Sequence, residues 1–382
     1  MMGGVKVDLK TAIPAAVFAV AAISIAAMPT SYLVQAAGPA VNVLGEYNGK
    51  DMVSVQGTKT YPTDSSLFMT TVTSFGNSDT GMLGGKVLTS IFSRDSQIAP
   101  VRAYYPKDVS SADIRARNQA LMTDSQDSAA VVAFEAAGMD VSMTLTIAQT
   151  YPENPSSKVV KIGDVITGVA DDGGAAASST AGEAVRDKVS KVESYSDLSK
   201  VLDAAKPGST VTLRVERAGT TLYLPVITKG YEPDSTGWVN PGALLGVNLS
   251  VTEVKLPATV KYVVDGIGGP SAGNMFALGI YDLLTPGSLG GNHKIAGTGT
   301  VSFDGDVGPI GGIEHKLQGA AKHGVTDFLA PATNCANTIG FEPNGMNIWA
   351  VRTNAEAIKA VEAIQAGDTS ALTSCKALVE GK

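Results

Sequence analysis

Residues 259–284 have the sequence TVKYVVDGIGGPSAGNMFALGIYDLL, which is the most informative stretch of the chain. Its β-branched beginning, Thr259 to Val264, predicts a strand, and the glycines that follow predict a loop. The apolar run to Leu284 predicts a helix that begins at Ser271. A serine at a helix N-terminus lies beside unpaired backbone N–H groups, which can stabilise an oxyanion formed by attack on a carbonyl. The simpler interpretation is a helix cap, because serine is a preferred N-cap residue.

The pentapeptide from Gly269 to Gly273 also fits Gly-x-Ser-x-Gly, the nucleophile elbow of α/β-hydrolases. An esterase of that kind needs an acid and then a histidine. His315 and His323 follow the serine, but too few strands lie between the serine and these histidines for the α/β-hydrolase fold. An esterase is therefore retained only as a less favoured alternative.

Lys316 offers a different general base for Ser271. It lies in the first turn of a predicted helix that follows Gly311 and Gly312. The apolar face of that helix comprises Ile313, Leu317 and Ala321. Burial and a helix N-terminus both disfavour a cation, so both push this lysine towards its neutral form, which can accept a serine proton. The alternative interpretation is an ordinary lysine on a solvated face.

Two segments in this order resemble the proteolytic domain of Lon proteases, over about residues 242–328. The first is Gly-Pro-Ser-Ala-Gly, residues 269–273, and the second is AGTGTVSFDGDVGPIGGIEHK, residues 296–316. The resemblance implies a Ser–Lys dyad of Ser271 and Lys316, with Thr298 helping to hold it. It also implies that Gly269, Pro270, Ala272 and Gly273 form the oxyanion loop. His315 is interpreted as helix surface, and His293, in a glycine-rich loop, as a residue that could touch substrate.

Residues 140–229 resemble a PDZ domain of the permuted, bacterial type. The resemblance is carried by KIGDVI at 161–166, Ser-Asp-Leu at 196–198 and Lys-Pro-Gly at 206–208. PDZ domains bind extended peptides by adding a strand to a sheet edge. A Gly/Ala-rich insertion at 171–183 departs from the pattern, so the geometry of the peptide groove stays open. The alternative interpretation is a PDZ fold that serves only for packing.

The N-terminal apolar run is uncharged from Thr11 past Met28 and continues to Val34. A membrane-spanning helix needs about 20 residues, so the run suffices only if it continues past Pro29. Lys6 and Lys10 precede the run, which orients the N-terminus to the cytoplasm and the remainder outside the cell. A cleaved signal peptide ending near residue 36 is the competing interpretation. Both interpretations export the bulk of the chain.

Composition excludes several classes of function. The 382 residues include 29 basic and 36 acidic side chains, a net charge of −7 that argues against nucleic-acid binding. Two cysteines and three histidines without metal-ligand spacing argue against a zinc site, and no other cofactor is expected. A phosphate-binding Gly-x-x-x-x-Gly-Lys-[Ser/Thr] sequence is missing, so ATP binding is not expected. In an oxidising compartment Cys335 and Cys375 can pair, with two unpaired thiols as the alternative.

The full order of segments resembles the PDZ-containing Lon-like proteases of Gram-positive, actinobacterial type. The predicted fold class is α+β, with a transmembrane helix, a PDZ domain and a Lon-type proteolytic domain. The predicted segments are a cytoplasmic N-terminus (1–10), a membrane anchor (11–34), an extracellular α/β segment (40–139), the PDZ domain (140–229), the proteolytic domain (235–365) and a tail (366–382). The predicted function is a single-pass, membrane-anchored serine endopeptidase that acts outside the cell on proteins or peptides, without its own ATPase. A homo-oligomer is compatible with these features, and a non-catalytic PDZ scaffold is the alternative function.

Overall fold

The computed structural model describes residues 9–78, 80–93, 96–107 and 109–381. Its strands are β1 (Tyr32–Asn42), β2 (Glu46–Tyr47), β3 (Lys50–Asp51), β4 (Val53–Gln56), β5 (Ser66–Phe75), β6 (Ser96–Pro100), β7 (Ser142–Thr150), β8 (Val165–Ala170), β9 (Ser190–Lys191), β10 (Thr210–Arg217), β11 (Thr220–Ile227), β12 (Val247–Lys255), β13 (Thr259–Tyr262), β14 (Lys294–Gly297), β15 (Thr300–Val301), β16 (Val307–Gly308), β17 (Asp327–Pro331) and β18 (Asn347–Val351). Its helices are α1 (Leu9–Ala27), α2 (Gly84–Ile91), α3 (Val101–Tyr104), α4 (Ser111–Ala136), α5 (Glu183–Arg186), α6 (Tyr195–Ala204), α7 (Gly273–Leu284), α8 (Ile313–Ala321), α9 (Cys335–Thr338), α10 (Asn354–Ala366) and α11 (Cys375–Glu380). The mixed α+β class is confirmed.

The first sheet has the strand order β18-β17-β14-β5-β1-β6. Strands β5, β14, β17 and β18 run parallel, and β1 is antiparallel to both of its neighbours. Because successive strand residues point to opposite faces, Leu67 and Met69 pack into the core that contains α4 and α7, while Phe68 packs against the core that contains α8. The sheet therefore separates α7 from α8. It is built from chain segments on both sides of residues 140–229.

The second sheet has the order β11-β10-β8-β7-β12, with β9 paired to β8. The predicted hairpin at Arg-Ala-Gly-Thr is confirmed: Arg217 pairs with Thr220, and Ala218 and Gly219 both have positive φ, as a tight hairpin turn requires. Helix α6 packs on this sheet through Leu198 and begins at a capping box. Strand β12 comes from beyond residue 229, so the sheet contains one more strand than the predicted segment 140–229 supplies.

The predicted membrane anchor does not form one helix over residues 11–34. Helix α1 ends at Ala27, and β1 begins at Tyr32, so that Leu33 and Val34 are buried in the first sheet. Pro29 intervenes, and it forms an isolated bridge with Leu83. In the part of the chain that the structure describes, no helix is both long enough and apolar enough to cross a membrane. Most of the predicted cytoplasmic N-terminus, residues 1–8, lies outside the described residues.

The structure contains a disulfide between Cys335 and Cys375, and both side chains are buried. It ties α11 to α9. Residues 375–380 of the predicted tail therefore pack against α9 and against β18, the edge strand of the first sheet.

Replacing both cysteines by alanine is expected to lower the free energy of unfolding by about 3–4 kcal/mol, the loop-entropy effect of a cross-link of this length. The cysteines are 40 positions apart in the chain. Urea denaturation of both proteins measures the difference. Two free thiols by intact-mass analysis of protein made in an oxidising compartment would contradict the pairing.

Candidate active site

Ser271 lies in a turn between β13 and α7, at the N-terminal end of the helix. The sequence predicts that the helix begins at Ser271, but it begins at Gly273, with Ala272 as the N-cap residue. The reason is local: the N–H of Gly273 donates to the carbonyl of Pro270 at 3.3 Å, which closes a turn before the first helical residue. The serine therefore precedes the helix instead of forming its cap, and its hydroxyl is free for another partner.

That partner is Lys316, whose Nζ lies 2.8 Å from Ser271 Oγ although the two residues are 45 positions apart. The lysine projects from α8, which follows Gly312 in a left-handed conformation. Nζ also lies 2.9 Å from Thr298 Oγ1 and 3.0 Å from the carbonyl oxygen of Thr70. The structure thus brings together the three residues that the resemblance singled out.

The Lys316 side chain is buried, with 2% of the residue exposed. Burial lowers its pKa from the ordinary 10.5 to about 7, because the charged form loses its hydration. The helix N-terminus that the sequence suggested as a second influence is not needed to explain this shift. Ile313 and Leu317 are buried as predicted, whereas Ala321 is partly exposed and Ala320 fills the core.

The hydrogen-bond partners of Lys316 Nζ determine whether a neutral amine could accept the proton of Ser271. A neutral amine has two hydrogens and one lone pair. The Thr70 carbonyl can only accept, and Thr298 Oγ1 donates its own hydrogen to the carbonyl of Ser271 at 2.9 Å, so both oxygens accept from Nζ. The lone pair of the neutral amine then remains for the hydrogen of the Ser271 hydroxyl. This is the arrangement of a general base and its nucleophile.

The carbonyl of Thr70 is a functional group that sequence reasoning missed. It comes from β5, far from the two recognised motifs, and a backbone oxygen leaves no mark in a sequence. Thr70 itself is buried, and its hydroxyl donates to the carbonyl of Gly297 on the neighbouring strand β14.

The residues predicted for the oxyanion loop have different roles in the structure. The N–H of Gly269 is already used, because it donates to the carbonyl of Asn118 on α4 at 2.9 Å. Pro270 has no N–H, and the N–H of Gly273 closes the turn described above. These three positions therefore shape the loop and do not present free donors.

Two backbone amides next to the nucleophile remain available. Across the described ranges, the N–H groups of Ser271 and Ala272 have no hydrogen-bond acceptor. They lie at the N-terminus of α7, a helix of 12 residues, where the helix dipole favours negative charge. These amides are the candidate oxyanion donors.

The histidines do not take part in this arrangement. The prediction that His315 lies on the helix surface is wrong: it is 5% exposed, and burial lowers its pKa. Its Nε2 lies 3.8 Å from a Glu314 oxygen. His293 and His323 are exposed, and His293 is not among the residues that line the cavity at Ser271. Within the described contacts, no histidine hydrogen-bonds to Ser271.

A cleft of about 500 Å³ opens at Ser271 and Lys316. One wall is β5, from Met69 to Ser74, and the other is the loop from Gly266 to Ala272. Pro39, Tyr47, Met122 and Gly311 complete the lining. A larger groove of about 1080 Å³ lies elsewhere, between α4 and α6, and contains neither Ser271 nor Lys316. The smaller cleft is therefore the candidate substrate site.

Comparison with known proteins finds similarity to Lon proteases. Residues 264–360 match the family model of the Lon protease (S16) C-terminal proteolytic domain. The archaeal Lon protease of Methanothermobacter thermautotrophicus is 30% identical over 94 residues, which are 25% of this chain and 14% of that protein. The Lon protease of Campylobacter concisus is 42% identical over 66 residues (17% and 8%), and that of Mesomycoplasma hyopneumoniae 38% over 71 residues (19% and 8%).

Residues 264–360 are therefore similar to the proteolytic domain of Lon proteases. The matched segment includes Ser271, Thr298 and Lys316 but neither Thr70 nor α4. The aligned segments cover between 8% and 14% of the length of these relatives.

Proposed function

We propose that this protein is a serine endopeptidase in which Ser271 is the nucleophile and Lys316 the general base. The observation that carries the proposal is the 2.8 Å contact between Ser271 Oγ and a lysine Nζ that is buried and has its pKa lowered to about 7. An ordinary surface lysine would be protonated at neutral pH and could not accept the proton.

In the acylation step, Ser271 Oγ attacks the carbonyl carbon of the scissile peptide bond, and its proton passes to Lys316 Nζ. The negative charge on the former carbonyl oxygen is stabilised by the free amides of Ser271 and Ala272. Collapse of this intermediate breaks the C–N bond, and Lys316 returns its proton to the leaving amine. An ester on Ser271 remains, and water hydrolyses it with Lys316 again acting as base.

Alanine at Ser271 tests the proposal against both alternatives. The wild type is expected to cleave unfolded casein and a short fluorogenic peptide, and Ser271→Ala is expected to cleave neither while keeping its melting temperature. A non-catalytic scaffold would show no cleavage in either protein. An esterase would require one histidine besides Ser271, so His315→Gln and His323→Gln are measured in parallel and are expected to keep peptidase activity.

We further propose that cleavage needs no nucleotide. This rests on the missing phosphate-binding sequence, since hydrolysis in the mechanism above uses only the dyad and water. Addition of ATP and Mg²⁺ is expected to leave the rate of casein cleavage unchanged, and a stably folded substrate is expected to resist cleavage. A severalfold rise in the rate with ATP, but not with a non-hydrolysable analogue, would contradict this.

We propose that the second sheet binds extended peptides, as its resemblance to PDZ domains implies. Among the described strands, β12 pairs only with β7 and so forms an open sheet edge. A groove of about 340 Å³ runs between this edge and α6. Its apolar lining includes Leu198, Leu202, Leu244, Leu245, Val247 and Leu249. The Gly/Ala-rich insertion does not obstruct the groove, because its Ala175–Ala177 turn contacts β10 and β11. These strands lie at the opposite edge of the sheet from β12.

A bulky side chain in this groove is expected to weaken the binding of protein substrates without changing the rate of peptide-bond hydrolysis at Ser271. Ser199 lines the groove from α6 and is partly exposed, so Ser199→Trp should fill it. Cleavage of unfolded protein is expected to fall by about tenfold, the effect of losing about 1.4 kcal/mol of binding, with short-peptide cleavage unchanged. Ala204→Trp, at the exposed end of the same helix, is the matched control. Equal losses on both substrates would indicate a structural role for the second sheet.

We propose that the part of the chain beyond residue 34 acts outside the cytoplasm. The disulfide supports this, because such bonds persist in oxidising compartments. Exclusive recovery of the protein from the cytoplasmic fraction, with both thiols reduced, would exclude it.

A further inference from the structure

Helix α4 lies outside the region that matches the Lon family model, yet it touches the nucleophile loop at successive points. Ser125 on this helix donates its hydroxyl hydrogen to the carbonyl of Pro270 at 2.9 Å. Ser125 is 3% exposed, so this bond is shielded from competing water. The carbonyl of Asn118, two turns earlier on α4, accepts the N–H of Gly269. The residue before the nucleophile is therefore held from a different part of the chain.

The peptide between Pro270 and Ser271 connects this hydrogen bond to the chemistry. Its carbonyl oxygen and the N–H of Ser271 belong to one planar trans unit, in which they point in opposite directions. A donor that holds the Pro270 oxygen therefore also sets the direction of the Ser271 N–H. This N–H is one of the two free amides at the nucleophile.

We infer that Ser125 is a positioning residue that holds the 270–271 peptide in the orientation that presents the Ser271 N–H to the oxyanion. The inference rests on the proposed function and names a residue for its oxyanion site. Without the Ser125 hydroxyl, the Pro270 carbonyl keeps only the longer bond from the Gly273 N–H, at 3.3 Å. The peptide can then rotate more easily, and the amide points away from the developing charge for part of the time.

The packing around Ser125 agrees with this role. A Cβ at position 273 would lie 2.6 Å from Ser125 Oγ, so glycine at 273 lets α7 approach the hydroxyl. The next peptide, after Ser271, is held separately: its carbonyl accepts from Gly299 N–H and from Thr298 Oγ1, each at 2.9 Å. Ser125 therefore acts on the preceding peptide alone and makes no contact with Lys316 Nζ among the described bonds.

The test compares Ser125→Ala with Ser128→Ala. Ser128 lies on the same helix and is similarly buried, at 5% exposed, but its hydroxyl donates within the helix to the backbone carbonyl of Asp124. Loss of an oxyanion donor lowers kcat by about 10²–10³-fold, and partial misorientation should lower it by about tenfold or more. We expect this fall for Ser125→Ala, with KM within about twofold of the wild type and with the midpoint of the pH–rate profile unchanged. Ser128→Ala is expected to keep the wild-type kcat.

Two further measurements make the result decisive. A peptide aldehyde, which forms a tetrahedral adduct with Ser271, should bind Ser125→Ala more weakly by the same factor as the fall in kcat/KM. Ser125→Thr, which keeps the hydroxyl, should recover most of kcat. Ser125→Cys, whose thiol is only a weak donor, replaces the alanine variant if that protein does not fold, with the same fall expected. A wild-type kcat in Ser125→Ala, a change in KM alone or a shifted pH midpoint would overturn the role of Ser125. Inactive wild type, or activity in Ser271→Ala, would instead overturn the proposed function.

Discussion

Arginine in place of Lys316 is expected to abolish peptide-bond cleavage as completely as alanine does, with a fall in kcat/KM of more than about 10³-fold. Lys316 Nζ is buried against Ser271 Oγ, and the proposed mechanism requires it to be neutral before the serine attacks. A guanidinium stays protonated at any pH at which the protein is folded, so it cannot accept the serine proton although it preserves the positive charge. Initial rates on a fluorogenic peptide measure the effect.

Lys322→Arg is the matched control, because Lys322 lies exposed at the end of the same helix. This variant is expected to keep the wild-type rate. Near-ultraviolet circular dichroism checks that Lys316→Arg retains its tertiary packing, since a guanidinium is larger than the amine that it replaces. Substantial activity of a folded Lys316→Arg protein would exclude the dyad and return His315 to consideration as the base.

The cleavage rate is expected to rise with pH and to level off above about pH 7. Burial lowers the pKa of Lys316 from 10.5 to about 7, and the protonated form is the inactive one. Below this pKa the neutral fraction falls about tenfold per pH unit, so kcat/KM at pH 5 should be about 100-fold below its plateau. A lysine with an ordinary pKa near ~10.4 would instead give a rate that still rises above pH 8. The measurement is kcat/KM from pH 5 to 9.5 at constant ionic strength.

His315 provides the control for this pH profile. It precedes Lys316 in the sequence, it is buried, and burial lowers its own pKa. His315→Gln removes that titration and is expected to leave the midpoint near pH 7. A midpoint that disappears in His315→Gln would assign the titrating group to the histidine. A flat profile in the wild type would mean that neither group controls the rate.

Much of the fold was predictable because it depends on local patterns. The strand at Thr259, the hairpin at Arg217 and Thr220, and the apolar helix after the glycine loop follow from β-branched runs, turn residues and periodicity. The extent of the N-terminal helix was not predictable in this way. Continuous apolar sequence suits both a membrane span and a buried strand, and pairing with β5 and β6 places Leu33 and Val34 in the sheet.

By itself, the sequence determined which side chains could react: the hydroxyl of Ser271 and the amine of Lys316, in two short motifs that resemble those of Lon proteases. Those motifs are local, and side-chain chemistry can be recognised from residue type alone. Only the tertiary structure decided that the amine is buried, that His315 is buried too, and that Thr70 and Ser125 form hydrogen bonds at the site. The physical reason is that burial, the direction of a peptide plane and a backbone acceptor arise from packing between distant segments. Residues 70 and 125 come within hydrogen-bonding distance of the motifs only when β5 and α4 pack against α7 and α8.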